Sequence, residues 1–126
     1  MSKEINKFKC GEKNGYWEEY FSNSSILRCR GHYSMGVKCG YWEFFHKNGK
    51  IKLKGNYSHL GRRKGYWRTY DKNGELMVDA QYNNRGNYDG VYREYDKGLI
   101  ITENIHTFKE KNQKLISIKG VGKYPR

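Results

Sequence analysis

The segment Gly40-Tyr41-Trp42-Glu43-Phe44-Phe45-His46-Lys47-Asn48-Gly49-Lys50-Ile51-Lys52-Leu53-Lys54-Gly55-Asn56-Tyr57 decides the fold. Its first part reads as a strand of the form Trp-x-x-aromatic. Asn48-Gly49 then signals a hairpin, because both residues tolerate positive φ. The remainder alternates. Ile51, Leu53, Gly55 and Tyr57 fall on one side, and Lys50, Lys52, Lys54 and Asn56 on the other. Period-two alternation describes a strand with one packed and one wet face. The whole segment is therefore a β-hairpin with an apolar, aromatic side.

The hairpin recurs along the chain. Gly15-Tyr16-Trp17-Glu18-Glu19-Tyr20, Gly65-Tyr66-Trp67-Arg68-Thr69-Tyr70 and Gly90-Val91-Tyr92-Arg93-Glu94-Tyr95 repeat its opening at a spacing of 25 residues. A second glycine precedes each by four positions: Gly11, Gly36, Gly61 and Gly86. Such a period marks a repeat array. The later turns read Asp71-Lys72-Asn73-Gly74 and, one residue shorter, Asp96-Lys97-Gly98. The first unit has Ser22-Asn23-Ser24-Ser25, so its turn must differ. Second strands are expected at Leu27, Cys29, Gly31, Tyr33 and at Leu76, Val78, Ala80, Tyr82. No stretch has a helical period. Residues 1–14 read as the second half of a unit, with repeats at 15–39, 40–64, 65–89 and 90–104. Lys114 to Lys119 reads as a closing strand in a cap and tail over 105–126, with Gly120 to Arg126 as a loose end. The whole is one domain.

Composition agrees with this class. Among 126 residues there are 15 Gly, one Pro, 12 Tyr, 3 Trp and 5 Phe, far too aromatic for a disordered chain. No apolar run is long enough to span a membrane as a helix, and the N-terminus lacks the apolar core of a secretory signal. Three cysteines, Cys10, Cys29 and Cys39, form no Cys-x-x-Cys pair and read as reduced thiols of a cytoplasmic protein.

The glycine, Trp/Tyr and Asn-Gly placement over about residues 8 to 103 resembles the MORN repeat. The closer likeness is to the variant found in bacterial antitoxin-like MORN proteins. The resemblance implies an all-β fold, an elongated, twisted antiparallel sheet of successive hairpins. It implies a binding or scaffolding role and no activity of its own.

Chemistry is sparse in the residues themselves. His32, His46, His59 and His106 lie in no metal-binding spacing, and His46 aligns with the turn residues Asp71 and Asp96. No phosphate-cradling loop and no nucleophile elbow occur, so no catalytic residue, metal or cofactor is expected. Cys29 reads as a small core residue. Glu18 and Glu43 align with Arg68 and Arg93, which suggests cross-strand charge pairs rather than a catalytic carboxylate pair. Trp17, Trp42, Trp67 and Tyr92 read as a hydrophobic spine. The Tyr16, Tyr41, Tyr66 column then points to the opposite side.

The net charge of +12 is segregated. Residues 28–68 carry eleven Lys/Arg against one acid, and residues 69–103 are slightly acidic. In an array, sequence blocks become spatial blocks. The expected partner-binding residues are Arg28, Arg30, Tyr41, Lys50, Lys52, Lys54, Arg62, Arg63, Lys64, Tyr66 and Arg68. Lys50, Lys52 and Lys54 should share the polar face, with Arg62-Arg63-Lys64 in a connecting loop. The expected function is a non-enzymatic module that docks an acidic protein partner, in an antitoxin-like, immunity or inhibitor role. The alternative is nucleic-acid binding through the same cations, and the third is binding to an anionic lipid surface. Exposed sheet edges leave room for homo-oligomers.

Overall fold

A computed structural model describes residues 4–83, 85–109 and 114–119, and side-chain surroundings as far as residue 105. The expected loose end at 120–126 lies outside the described residues. Among the described residues ten strands run in chain order: β1 (Lys7–Lys9), β2 (Glu12–Tyr20), β3 (Leu27–Ser34), β4 (Val37–Phe45), β5 (Ile51–Tyr57), β6 (Arg63–Tyr70), β7 (Leu76–Tyr82), β8 (Tyr88–Asp96), β9 (Leu99–Lys109) and β10 (Lys114–Lys119). Each pairs antiparallel with the next, giving one sheet in the order β1 to β10. The all-β array of successive hairpins expected from the repeat is thus observed. The expected closing strand is β10, paired with β9 from Lys114↔Lys109 to Lys119↔Asn104.

The turns differ from the sequence expectation in an instructive way. At Asn48-Gly49 and Asn73-Gly74 only the glycines take positive φ, 90° and 91°. The chain closes each loop with wider bonds, His46 N–H to the Lys50 carbonyl at 2.8 Å and Asp71 N–H to the Glu75 carbonyl at 2.9 Å. These are type I turns ending in a glycine bulge rather than two-residue turns. The asparagine is used for its side chain: the Asn48 amide donates to the Lys72 carbonyl of the next hairpin at 2.7 Å. The two-residue turns occur instead at Cys10-Gly11, Met35-Gly36 and Lys97-Gly98, where both residues have positive φ. The first hairpin closes over residues 21–26, Phe21 N–H to Ile26 carbonyl at 3.0 Å, and so does differ as expected.

The other glycine column does not sit in turns. Gly40, Gly65 and Gly90 lie inside β4, β6 and β8 at positive φ. Between Arg30↔Glu43 and His32↔Cys39, Gly31 of β3 spans the three residues Gly40, Tyr41 and Trp42 of β4. This bulge swings each indole back over the preceding strand.

The core is a single aromatic row on one face. Trp42 and Trp67 are 0% and 1% exposed, although among the described residues no second layer covers the sheet. Ring contacts run edge to face through Phe8–Trp17, Trp17–Tyr33, Tyr33–Trp42, Trp42–Tyr57 and Tyr57–Trp67, with centroids 5.0, 6.1, 5.0, 6.4 and 4.9 Å apart. The indole N–H groups donate to backbone carbonyls, Trp17 to Lys7 at 2.9 Å, Trp42 to His32 at 3.0 Å and Trp67 to Asn56 at 3.0 Å. Each ring therefore fills space and satisfies its one donor. The spine reading holds, and Cys29 belongs to it: it is buried, and that burial raises its thiol pKa.

Candidate binding face

The sheet has two unlike faces. On the tryptophan face, cations lie over the rings. The Lys13 ammonium is 4.8 Å from the Trp17 ring, that of Lys38 is 5.3 Å from Trp42, and the Arg63 guanidinium is 4.6 Å from Trp67. These three share the 25-residue period, and Tyr88 takes the position in the fourth unit, 5.6 Å from Tyr92. Cation–π contacts thus close the aromatic row against water. Sequence reasoning missed this column, although its period was visible. Glu19 adds to the seal. It accepts the Tyr33 hydroxyl at 2.8 Å and pairs with Arg28 at 2.9 Å and Lys13 at 3.5 Å. Burial alone would raise the Glu19 pKa, but the Tyr33 donor, Lys13 and Arg28 outweigh it and hold the carboxyl low. Burial and the bond to Glu19 push the Tyr33 hydroxyl up.

The opposite face carries the tyrosines. Tyr41 and Tyr66 are 48% and 42% exposed. The Tyr41 hydroxyl donates to Glu43 at 2.9 Å. Burial, that bond and the Glu43 charge together push its pKa up to about 12. Beside the tyrosines runs a row of charges held in register: Glu18↔Arg30, Arg30↔Glu43, Glu43↔Lys54, Lys54↔Arg68, Arg68↔Asp79, Asp79↔Arg93 and Arg93↔Glu103. Arg30 meets Glu43 at 2.7 Å and Arg68 meets Asp79 at 3.4 Å. Arg93 reaches both Asp79, at 4.0 Å, and Glu103. The expected cross-strand pairing is observed for Glu43, Arg68 and Arg93, whereas Glu18 faces Arg30 in register and its carboxylate accepts the Tyr16 and Tyr20 hydroxyls. The cations of these pairs stay partly open to water although the acids are largely covered, so each pair contributes modestly, on the order of 1 kcal/mol, and its main effect is to fix register.

The residues expected to bind a partner are divided by the fold. Arg30, Tyr41, Lys54, Tyr66 and Arg68 come together on the tyrosine face, with exposed Lys64 beside the β6 bulge, opposite Asn56. Lys52 and Arg28 line a cleft of about 230 Å³ with Phe21, Phe44, Phe45 and Leu53. Lys50 lies at the β4–β5 loop and donates to the Asn73 carbonyl at 3.3 Å. Arg62 stays in the β5–β6 loop, its stem against Gly86. Arg63 does not. It starts β6, lies over Trp67 and donates to the Tyr82 hydroxyl at 3.0 Å, so it belongs to the closed face. Lys64 is likewise in β6 rather than in a loop. Among the described residues, no carboxylate lies within ion-pair distance of Lys50, Lys52, Lys54, Arg62 or Lys64. Among them also, no helix is long and apolar enough to cross a membrane.

Residues 38–59 and 63–84 each match the family model described as a MORN repeat variant, one β4–β5 and one β6–β7 hairpin. Repeats of this family are non-catalytic binding and scaffold modules. No curated protein matches the chain. A solved structure, "Crystal structure of GtfA/B complex bound to UDP and GlcNAc", is similar at 18% identity and a TM-score of 0.43. The likeness covers 74% of this chain and 20% of that one, so the chain spans about a fifth of that structure's length.

Proposed function

We propose that this chain, which carries MORN-variant repeats, is a non-enzymatic binding module whose tyrosine face over β4, β5 and β6 docks an acidic protein surface. One observation carries the reading. The two faces have divided their cations: Lys13, Lys38 and Arg63 are spent on the tryptophan rings, whereas Lys54 and Lys64, on the side of exposed Tyr41 and Tyr66, form no ion pair among the described residues, although Glu43 stands opposite Lys54. Exposed tyrosines among cations suit protein recognition, since tyrosine offers large amphipathic area at low entropic cost. An antitoxin-like, immunity or inhibitor role fits a module that acts by covering a partner's surface. Three free thiols fit a reducing, cytoplasmic setting.

The charge ladder weighs against nucleic acid. Glu18, Glu43, Asp79 and Glu103 recur among the cations across the face, so a phosphate backbone laid across the strands would meet acids repeatedly. The test is affinity capture from the native host with mass spectrometry, using the wild type and a Lys50/Lys52/Lys54→Glu triple variant. The expected result is a stoichiometric acidic protein that survives nuclease treatment and is lost from the folded triple variant. Retention by that variant, or release by nuclease, overturns the proposal.

A further inference from the structure

We propose that the step between Lys54 and Arg68 is an anchor for a single carboxylate of the partner. The inference rests on the docking role given above to the tyrosine face. Across β2 to β9 the ladder reads acid, base, acid, base, base, acid, base, acid, and the one place where like charges face each other is Lys54↔Arg68. Neither cation is relieved by its other neighbour to the extent the ladder would suggest. Glu43, opposite Lys54, is engaged by Arg30 at 2.7 Å and by the Tyr41 hydroxyl at 2.9 Å. Asp79, beside Arg68, is shared with Arg93. Lys54 instead lies 5.5 Å from the Tyr70 ring, and Arg68 lies 5.4 Å from that of Tyr66.

Like charges directly opposite each other in a sheet destabilise it. An anion seated between these two restores alternation and removes the repulsion. The guanidinium fork of Arg68 suits a planar carboxylate, with Lys54 as a second donor. Tyr66, on the exposed rim, adds apolar area for the residues flanking the partner's acid. A polyphosphate chain fits less well, because the next groups along the row on both sides are Glu43 and Asp79.

The probe is a dye-labelled peptide of alternating glutamate and serine, followed by fluorescence anisotropy at low salt. The wild type binds it. Lys54→Gln and Arg68→Gln each weaken binding by about tenfold or more, the loss of one charge-assisted contact. Lys72→Gln, at the exposed β6–β7 loop, leaves binding unchanged. A second readout needs no peptide: Lys54→Gln raises the unfolding midpoint of the protein alone, because it removes the facing charge. It also settles the matter should Arg68→Gln fail to fold. Equal binding by wild type and Lys54→Gln overturns the anchor while leaving the docking face intact. No binding by the wild type overturns the docking face itself. An oligonucleotide that displaces the peptide through Lys54 and Arg68 overturns the choice of carboxylate.

Discussion

Gly31 and Gly55 leave no room for a methyl group. A Cβ at Gly31 would stand 2.2 Å from Trp42 Cδ2, and one at Gly55 would stand 2.2 Å from Trp67 Cδ2. The third unit resolves the same conflict differently, with Ala80 opposite the smaller Tyr92. Large and small residues thus trade volume along the row. Gly55→Ala should destabilise the fold by about 3 kcal/mol, as overpacking does. Adding Trp67→Tyr should recover part of that loss, a coupling of about 1 kcal/mol or more in a denaturant double-mutant cycle. Additive losses would contradict the packing account. At Tyr41 the prediction concerns pH. Its folded pKa of about 12 lies above the ordinary 10.0, so its contribution to stability is complete below 10.0 and lost as pH rises through about 12. Glu43→Gln removes the acceptor's charge and should move Tyr41 part of the way back to 10.0, read by ultraviolet titration of phenolate. An unmoved titration would show that burial alone sets the value.

At the scale of elements, the glycines of one column differ from those of the other in kind. Gly65 sits in a strand at φ 69° with nothing within 4 Å of a would-be Cβ. Gly65→Ala should therefore cost only the left-handed backbone term, about 1–2 kcal/mol, and clearly less than Gly55→Ala. Equal losses at the two sites would mean the bulge is not what Gly65 serves. This distinction was hidden in the sequence, where Gly40 and Gly65 simply open the first strand of each unit. Their role depends on register against a neighbouring strand, which a period cannot reveal. The hairpins, the tryptophan spine and the opposite-facing tyrosines were legible, because period-two alternation fixes faces directly. The cation column was legible in period but not in purpose. Arg63 reads as free charge until the fold places its guanidinium over Trp67, as it places the Lys38 ammonium over Trp42. The binding residues were legible as a block, and the fold then assigned Arg63 to the other face.

For the whole molecule, a charge of +12 does not make a uniformly basic body. The ladder through Glu18, Arg30, Glu43, Lys54, Arg68, Asp79, Arg93 and Glu103 holds equal numbers of acids and bases. Part of the excess seals the tryptophan face, and part stands beside the tyrosines of the middle units. A single-layer sheet needs this division. One face must protect the aromatic core of the described residues, and the other remains available. The most direct measurement is a nuclear magnetic resonance titration of the labelled protein with the glutamate–serine peptide. The account predicts shifts at Tyr41, Lys54, Tyr66 and Arg68, with Lys13, Lys38 and Arg63 unmoved. Shifts centred on Lys38 and Arg63 would contradict it.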